Sequence, residues 1–456
     1  MGEADPRQAA FDVLRRVDQE GAWSSVLLQH LTLPQRDIAL ATELVYGVLR
    51  RQMRLDQVIE RFASRPLDRI DPALKITLRL ALYQILHLTR IPPHAAVNEA
   101  VEMARRVAGR YPEAAAGFVN GLLRAVLRDR PRAEAAPEAG DPGDPAPALA
   151  VSESCPEWLV RRWLSSFGRA GAADLLAAMN RPASVALRVT TRGGSRDRVA
   201  GALQSEEIPT RPSRYLPDFL VADGGAPQRT EAFRRGDFYI QDEASGLVAR
   251  MAGAVTGDRI LDACAAPGGK ALSMAQSVGP TGLVIAADLH PSRLRLLRAN
   301  AGRLGLAHCV GLAADFSVES APLSPASSFD VVLVDAPCSG TGVIRRNPEL
   351  RYRLSPGSLA QLAALQHRLL SRCAGLVRPG GALVYSVCSL EPEEGVRQAE
   401  RFGQEQPGFL LADPRPLLDE AARALVADTA AGPCLVTLPH RDDLDGFFAA
   451  RWRRQR

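Results

Sequence analysis

The sequence predicts a multidomain protein: an all-helical bundle, then a small α/β subdomain, then an open, mostly parallel sheet with helices on both faces. Three observations carry this. Apolar residues recur at helical spacing from the start to about residue 130. Residues 131–150, "PRAEAAPEAGDPGDPAPALA", hold five prolines and almost no large apolar side chains. Beyond 255, strand-like and helical runs alternate, the pattern of a doubly wound sheet.

In chain order, "AAFDVLRRV", "IALATELVYGVLRRQ", "ALKITLRLALYQILHL", "AAVNEAVEMARRV" and "GFVNGLLRAVLR" each place an apolar stripe on one helix face. Short loops between them predict a compact bundle over 1–130. The Pro/Ala-rich stretch 131–150 reads as a linker. Over 151–240, "SVALRVTT" reads as a strand and "DRVAGALQSEE" as a helix, giving a small α/β subdomain. Over 241–456, the strands are "RILDA", "GLVIAAD", "CVGLAAD", "FDVVLVD" and "GALVYSV". Helices are expected near 269–278, 291–304 and 355–376, two of them announced by His290-Pro291 and Ser355-Pro356, because proline fits the first helical turn.

Composition removes several classes. At 456 residues and 46% hydrophobic content the chain can bury sizeable cores. It has no apolar run long enough to span a bilayer, and its charged start reads as a helix rather than a secretion signal, so a cytoplasmic protein without a membrane partner is expected. The seven cysteines are scattered and never form C-x-x-C, which favours neither disulfides nor a metal site. They must be explained as thiols. A net charge of +5 leans mildly toward a polyanionic partner. The basic residues are nearly all Arg; only Lys75 and Lys270 are Lys, and a compact ammonium is not interchangeable with a guanidinium.

In a doubly wound sheet, ligands bind beyond the carboxyl ends of the strands. "LDACAAPGGK" runs from the first such strand into a helix, and its small residues let backbone N–H groups approach a ligand. It is not a phosphate-binding Walker loop: Cys264 stands where the first glycine belongs, and Ala271 follows Lys270. Nor is it G-x-G-x-x-G. Asp288 closes the second strand, where an acid can accept both hydrogen bonds of a ribose diol. Asp315 follows the third strand, placed to hold an adenine amino group, and Asp335 ends the fourth.

"DACAAPGGK", "DAPCSGTGVIRRNPE" and "YSVCSLEPEEG" resemble the signatures of S-adenosylmethionine-dependent RNA cytosine-5 methyltransferases. "NEAVEMARRVAGRYPEAAAGFVNGLLRAVLR" resembles the helical domain of the antitermination factor NusB. Together they resemble the Sun/RsmB family of bacterial 16S ribosomal RNA cytosine-5 methyltransferases over nearly the whole chain. The resemblance implies a NusB-like RNA-binding bundle, a small RNA-binding α/β subdomain and a Rossmann-like class I methyltransferase domain. It puts the cofactor loop on Cys264, Ala265, Ala266, Pro267, Gly268, Gly269 and Lys270, the ribose acid on Asp288, the adenine-side acid on Asp315, and adds Arg293 and Asp335 to the cofactor set. Ala271 and Val387 depart from a usual Thr, and Cys155 from a common His; no catalytic group is lost.

The chemistry explains the thiols. Carbon 5 of cytosine is a poor nucleophile until a thiolate adds to carbon 6, after which carbon 5 can attack a sulfonium methyl. Cys338 and Cys388 follow strands that would be neighbours in this fold, about 4.8 Å apart. Either could attack from local sequence alone, since a Pro-Cys turn resembles the nucleophile of DNA methyltransferases. The resemblance to the RNA enzymes assigns attack to Cys388 and release of the methylated base to Cys338, with Asp335 and Lys270 assisting. Cys309 and Cys373 read as ordinary buried residues. The expected substrate is a cytosine of 16S ribosomal RNA, unpaired or flipped out, and the expected enzyme a monomer without metal. A transfer RNA methyltransferase and a non-catalytic RNA-binding assembly factor are the alternatives. Arg345, Arg346, Arg351 and Arg353, next to Cys338, and the terminal "RWRRQR" are expected to meet phosphate.

Overall fold

The computed structural model describes residues 5–137, 143–318, 323 and 328–456. They divide into two compact units, Met1–Arg181 with Ile344–Arg353, and Pro182–Val343 with Leu354–Arg456. Among the described residues, no helix is long and apolar enough to cross a membrane.

The first unit is helical. Helices Pro6–Glu20, Gln35–Phe62, Pro72–His87, Pro93–Val107 and Pro112–Arg128 bury one stripe each, with Phe11, Leu14, Leu44, Val48, Ile59, Leu82, Val119 and Leu123 among the shared core. Four of the five begin on a proline, and Asp5 and Asp71 cap the first and third by accepting from backbone N–H groups of the first turn. Within the stretch read as a linker, Arg130–Glu134 and Ala146–Ser152 are helices that bury Ala133 and Ala146; residues 138–142 lie outside the described residues. Alanine favours helix, and Pro131 and Pro147 fall in first turns where proline costs no hydrogen bond. Contacts group the long helix Glu157–Met179 with this unit as well.

Residues Ile344–Arg353 also fold with the bundle, and they correct one expectation. Arg351 is 1% exposed and donates to the carbonyls of Glu153 and Ser154, both at 3.0 Å, and to Asn180 Oδ1 at 2.9 Å. Glu349 accepts from the backbone N and the hydroxyl of Ser24, and Tyr352 donates to the carbonyls of Leu49 and Ser154. Arg345 is buried, and Arg353 donates to Ala22 O and stacks on Trp23. Arg345 and Arg351 are therefore structural groups with no face toward phosphate. The terminal nitrogens of Arg351 find acceptors in two segments, 153–154 and 179–180, while its Nε finds none among the described residues.

The second unit holds two sheets. The smaller is antiparallel: β1 (Val185–Val189), β2 (Thr210–Pro212), β3 (Phe219–Ala222) and β4 (Phe238–Ile240) lie in the order β2-β3-β1-β4. It packs Leu187, Leu220 and Phe238 with Val199 and Leu203 of helix Arg196–Ser205. The larger contains β5 (Arg259–Asp262), β6 (Leu283–Asp288), β7 (Cys309–Ala313), β8 (Phe329–Asp335), β9 (Val377–Val387), β10 (Phe409–Leu411), β11 (Val426–Thr429), β12 (Gly432–Thr437) and β13 (Phe447–Arg454). Its order is β11-β12-β13-β9-β8-β5-β6-β7, with β10 beside β13. The five strands from β9 to β7 are parallel, as the alternation requires; the C-terminal four add antiparallel. The terminal basic stretch is thus largely strand, with Arg451 and Trp452 buried.

Candidate active site

The order of parallel strands sets the site. After β5 the chain moves outward through β6 and β7, then returns to the other side of β5 for β8 and β9. That reversal opens a crevice at the carboxyl edge between β5 and β8. Register puts Asp262 beside Ala286 and Leu333, Asp288 beside Ala313, and Asp335 beside Ser386, so the strand ends form one row. Cys388 and Cys338 lie at one end of it and Asp315 at the other.

Residues 263–268 turn from β5 into helix Gly269–Val278, with a cis bond between Ala266 and Pro267. Gly268 sits at φ +114°, where a side chain is strained, and a Cβ there would press on Leu297 and Leu272 at 3.1 and 3.2 Å. Helix start and loop thereby bring Lys270 across the crevice. Its ammonium donates to Asp335 Oδ2 at 2.7 Å, and Ser386 Oγ donates to Asp335 Oδ1 at 2.6 Å. Burial would lower the Lys270 pKa, but the Asp335 carboxylate outweighs it and the net shift is upward, so Lys270 stays charged. The Phe447 ring lies 5.0 Å from the same ammonium.

Asp288 is 4% exposed; its Oδ1 accepts from His290 N at 2.9 Å and its Oδ2 from Ala266 N at 3.2 Å, and Arg293 approaches the same Oδ2 at 3.2 Å. Arg293 is 51% exposed on its side chain and also donates to Ala266 O, so it closes the solvent side of Asp288. Asp315 accepts from Ser317 N at 2.7 Å, and the Ser317 hydrogen bonds hold its pKa below the usual carboxylate value. Cys264 is half-buried, and burial pushes its thiol well up.

Sequence reasoning passed over Asp262, the last residue of β5. It is 1% exposed and, among the described residues, no side chain donates to either carboxylate oxygen. Burial, then the charge of Asp335, push its pKa up to about 7, with Lys270 and the Cys264 amide leaning the other way. An orphaned buried carboxylate in a crevice wants a cation or a donor. Its position at a strand end inside "LDACAAPGGK" was the available signal.

The two thiols meet. Cys338 Sγ and Cys388 Sγ are 3.4 Å apart, each half-buried. Gly342 N donates to Cys388 O at 3.0 Å and Gly446 N to Gly342 O at 2.9 Å. A Cβ on Gly342 would stand 2.0 Å from Gly446 O, so only glycine lets this turn lie against the segment that enters β13. Cys338 is held well above the ordinary thiol pKa by its hydrogen bond with Cys388, by burial, and by the charges of Cys388 and Glu394. Cys388 in turn is near enough to Lys270 for their charges to interact. Cys309 and Cys373 are buried away from this row, in the cores, as expected.

A helical bundle, a small antiparallel sheet and a parallel sheet bearing acids and paired thiols at its carboxyl edge define the class. A family model for 16S rRNA methyltransferase RsmB/F matches residues 251–453, one for the NusB family matches 4–128, and one for a Methyltr_RsmF/B-like, ferredoxin-like domain matches 155–227. The protein is a methyltransferase of this three-part build. "Probable ribosomal RNA small subunit methyltransferase B" of Bacillus subtilis (strain 168) is 35% identical over 100% of both chains. "Ribosomal RNA small subunit methyltransferase B" of Citrobacter koseri is 33% identical over 99% of each. The chain belongs to the 16S rRNA methyltransferase RsmB/F family. Among solved structures, PH0851 superposes with a TM-score of 0.81 over 99% of both chains at 24% identity. NSun6 from Pyrococcus horikoshii, solved with SFG, superposes with a TM-score of 0.58 over 66% of this chain and 98% of its own at 21% identity. Both share the fold.

Proposed function

We propose that the protein transfers a methyl group from S-adenosylmethionine to carbon 5 of a cytosine in 16S ribosomal RNA, through a covalent bond between Cys388 and carbon 6. The 3.4 Å approach of two thiols from neighbouring strand ends carries this reading. Two thiols in contact are what a reaction needs when one must add to a ring and the other must help undo the addition. The names of the full-length relatives support ribosomal RNA of the small subunit as substrate.

The crevice fits the methyl donor. When bound, S-adenosylmethionine supplies an electrophilic methyl on a sulfonium. The ammonium of its methionine end suits the orphaned Asp262, its ribose suits Asp288 once Arg293 moves aside, and its adenine suits Asp315. Gly268, Gly269 and the small residues from Cys264 to Pro267 give the backbone close approach.

At the thiol end, Lys270 and Asp335 stand as a donor beside an acceptor. That is the complement of cytosine N3 and its amino group, and it orients the base. Cys388, close to the Lys270 charge, adds to carbon 6, while Lys270 balances the charge that develops on the ring. Carbon 5 then takes the methyl group. A water takes the carbon 5 proton while Cys338, a neutral thiol touching Cys388, hydrogen-bonds the departing sulfur, and the bond from carbon 6 to Cys388 breaks and frees 5-methylcytosine.

Bisulfite sequencing of 16S ribosomal RNA from a strain lacking the gene tests the reaction. One protected cytosine should become convertible, and purified protein with S-adenosylmethionine should restore it. An unchanged pattern refutes the proposal, and a change confined to transfer RNA corrects the substrate.

A further inference from the structure

Glu394 lies seven residues beyond β9, in "LEPEEG", and is 0% exposed. Its Oε1 accepts from Ser339 N at 2.9 Å and Gln366 Nε2 at 2.8 Å; its Oε2 accepts from the hydroxyls of Ser339 and Ser389, both at 2.5 Å. An ionised carboxylate has about four lone-pair positions, so these donors can fill it. Ser339 directly follows Cys338, and Ser389 directly follows Cys388. Gln366 also donates to Pro337 O at 2.9 Å, on the other side of Cys338, and Tyr385 OH donates to Glu394 O at 2.6 Å. One buried carboxylate therefore holds both thiol-bearing turns.

We propose that Glu394 is the positioning residue that sets the spacing and the separate roles of the two thiols, through Ser339 for Cys338 and through Ser389 for Cys388. The proposal rests on the covalent reading above. Stability alone is a weak reason for such a group, because burying a carboxylate is costly and replacing buried charge by apolar packing is often neutral or better. Geometry is a strong reason. The two sulfurs must stay in contact beside one ring, and a misplacement of about 1 Å can cost on the order of a hundredfold in rate. A rigid planar acceptor tied to each turn supplies that tolerance where flexible loops would not. Its negative charge on the Cys338 side also favours a neutral thiol there, consistent with a residue that acts after attack.

The test uses full-length protein, 16S ribosomal RNA and labelled S-adenosylmethionine, with Ser339→Ala, Ser389→Ala and Glu394→Gln. Single-turnover methyl transfer reports attack, and a covalent complex surviving denaturing electrophoresis reports failed release. Ser339→Ala should transfer methyl within about threefold of the parent but accumulate complex. Ser389→Ala should slow transfer by at least tenfold without accumulation. Glu394→Gln should lower kcat by at least tenfold with KM for S-adenosylmethionine within about threefold. Should Glu394→Gln fail to fold, the serine variants still decide. Equal effects of the two serines on transfer and release, or a change in melting temperature with kcat intact, would overturn the positioning role. If the serine phenotypes exchange and each still matches substitution of its neighbouring cysteine, the tether stands and the thiol assignment falls. Absence of any covalent complex in every variant, Cys338→Ala included, would overturn both.

Discussion

Residues 335–343 and 344–353 follow one another without a break, and both are dense in groups that could meet a nucleic acid. In the first stretch the hydrogen bonds of Ser339, Thr341 and Gly342 fix the turn, while Cys338 Sγ lies against Cys388 Sγ and Asp335 faces Lys270 with 29% of its side chain exposed. In the second, Glu349, Arg351 and Tyr352 donate to or accept from backbone and side chains of the helical unit. One stretch leaves reactive groups available; the other has committed them to folding. Proximity to a reactive thiol in sequence is therefore a poor guide to RNA contact, and burial decides.

Arg351→Ala should be the most damaging change in the comparison. It leaves several buried carbonyls without donors and should cost about 3–5 kcal/mol, the range for breaking a buried polar cluster. Chemical denaturation of the full chain checks it: the first transition should move to lower denaturant. A variant of ordinary stability whose RNA affinity loses salt dependence would return Arg351 to the phosphate-contact role.

Asp262 is next, and its effect has a pH signature. Its folded pKa of about 7 lies above the ordinary 3.8, so between these values the native state keeps a proton the unfolded chain has lost, and stability falls as pH rises through that window. Asp262→Asn removes the penalty. At pH 8 without cofactor it should be more stable by up to about 4 kcal/mol, with the advantage gone near pH 4. The same variant should bind S-adenosylmethionine more weakly in calorimetry. A stability difference independent of pH would show that the carboxylate is not desolvated.

The smallest effect falls on Arg353, whose guanidinium stacks on Trp23 at 4.8 Å from the ring centroid and remains exposed to solvent. Arg353→Ala should cost about 0.5–1 kcal/mol of stability. A loss as large as that of Arg351→Ala would erase the distinction between surface and buried arginines in this segment.

The parallel half of the sheet was legible because apolar runs end on Asp at 288 and 335, and because prolines mark helix starts; the helix expected near 291–304 is found as Pro291–Leu304. The antiparallel strands β10 to β13 were not. "FFAARWRR" carries three arginines, and the burial of Arg451 and Trp452 comes from β9 and β10, which flank them from distant sequence. The thiols and Lys270 stood out as rare residue types at strand ends. Glu394 could not: it is one of three acids within "LEPEEG", and nothing local separates it from Glu391 and Glu393 until the Cys338 turn folds against it. A residue that acts by accepting hydrogen bonds from two loops has no signature shorter than the fold.

The division of labour between the thiols is the central claim, and trapping the covalent complex tests it most directly. Cys338→Ala, incubated with 16S ribosomal RNA and labelled S-adenosylmethionine, should attack and transfer the methyl group but fail to release it. Protein and RNA should then migrate together under denaturing electrophoresis and carry the label, while Cys388→Ala gives neither complex nor product. A labelled complex with Cys388→Ala and none with Cys338→Ala would contradict the account and make the Pro-Cys turn the nucleophile.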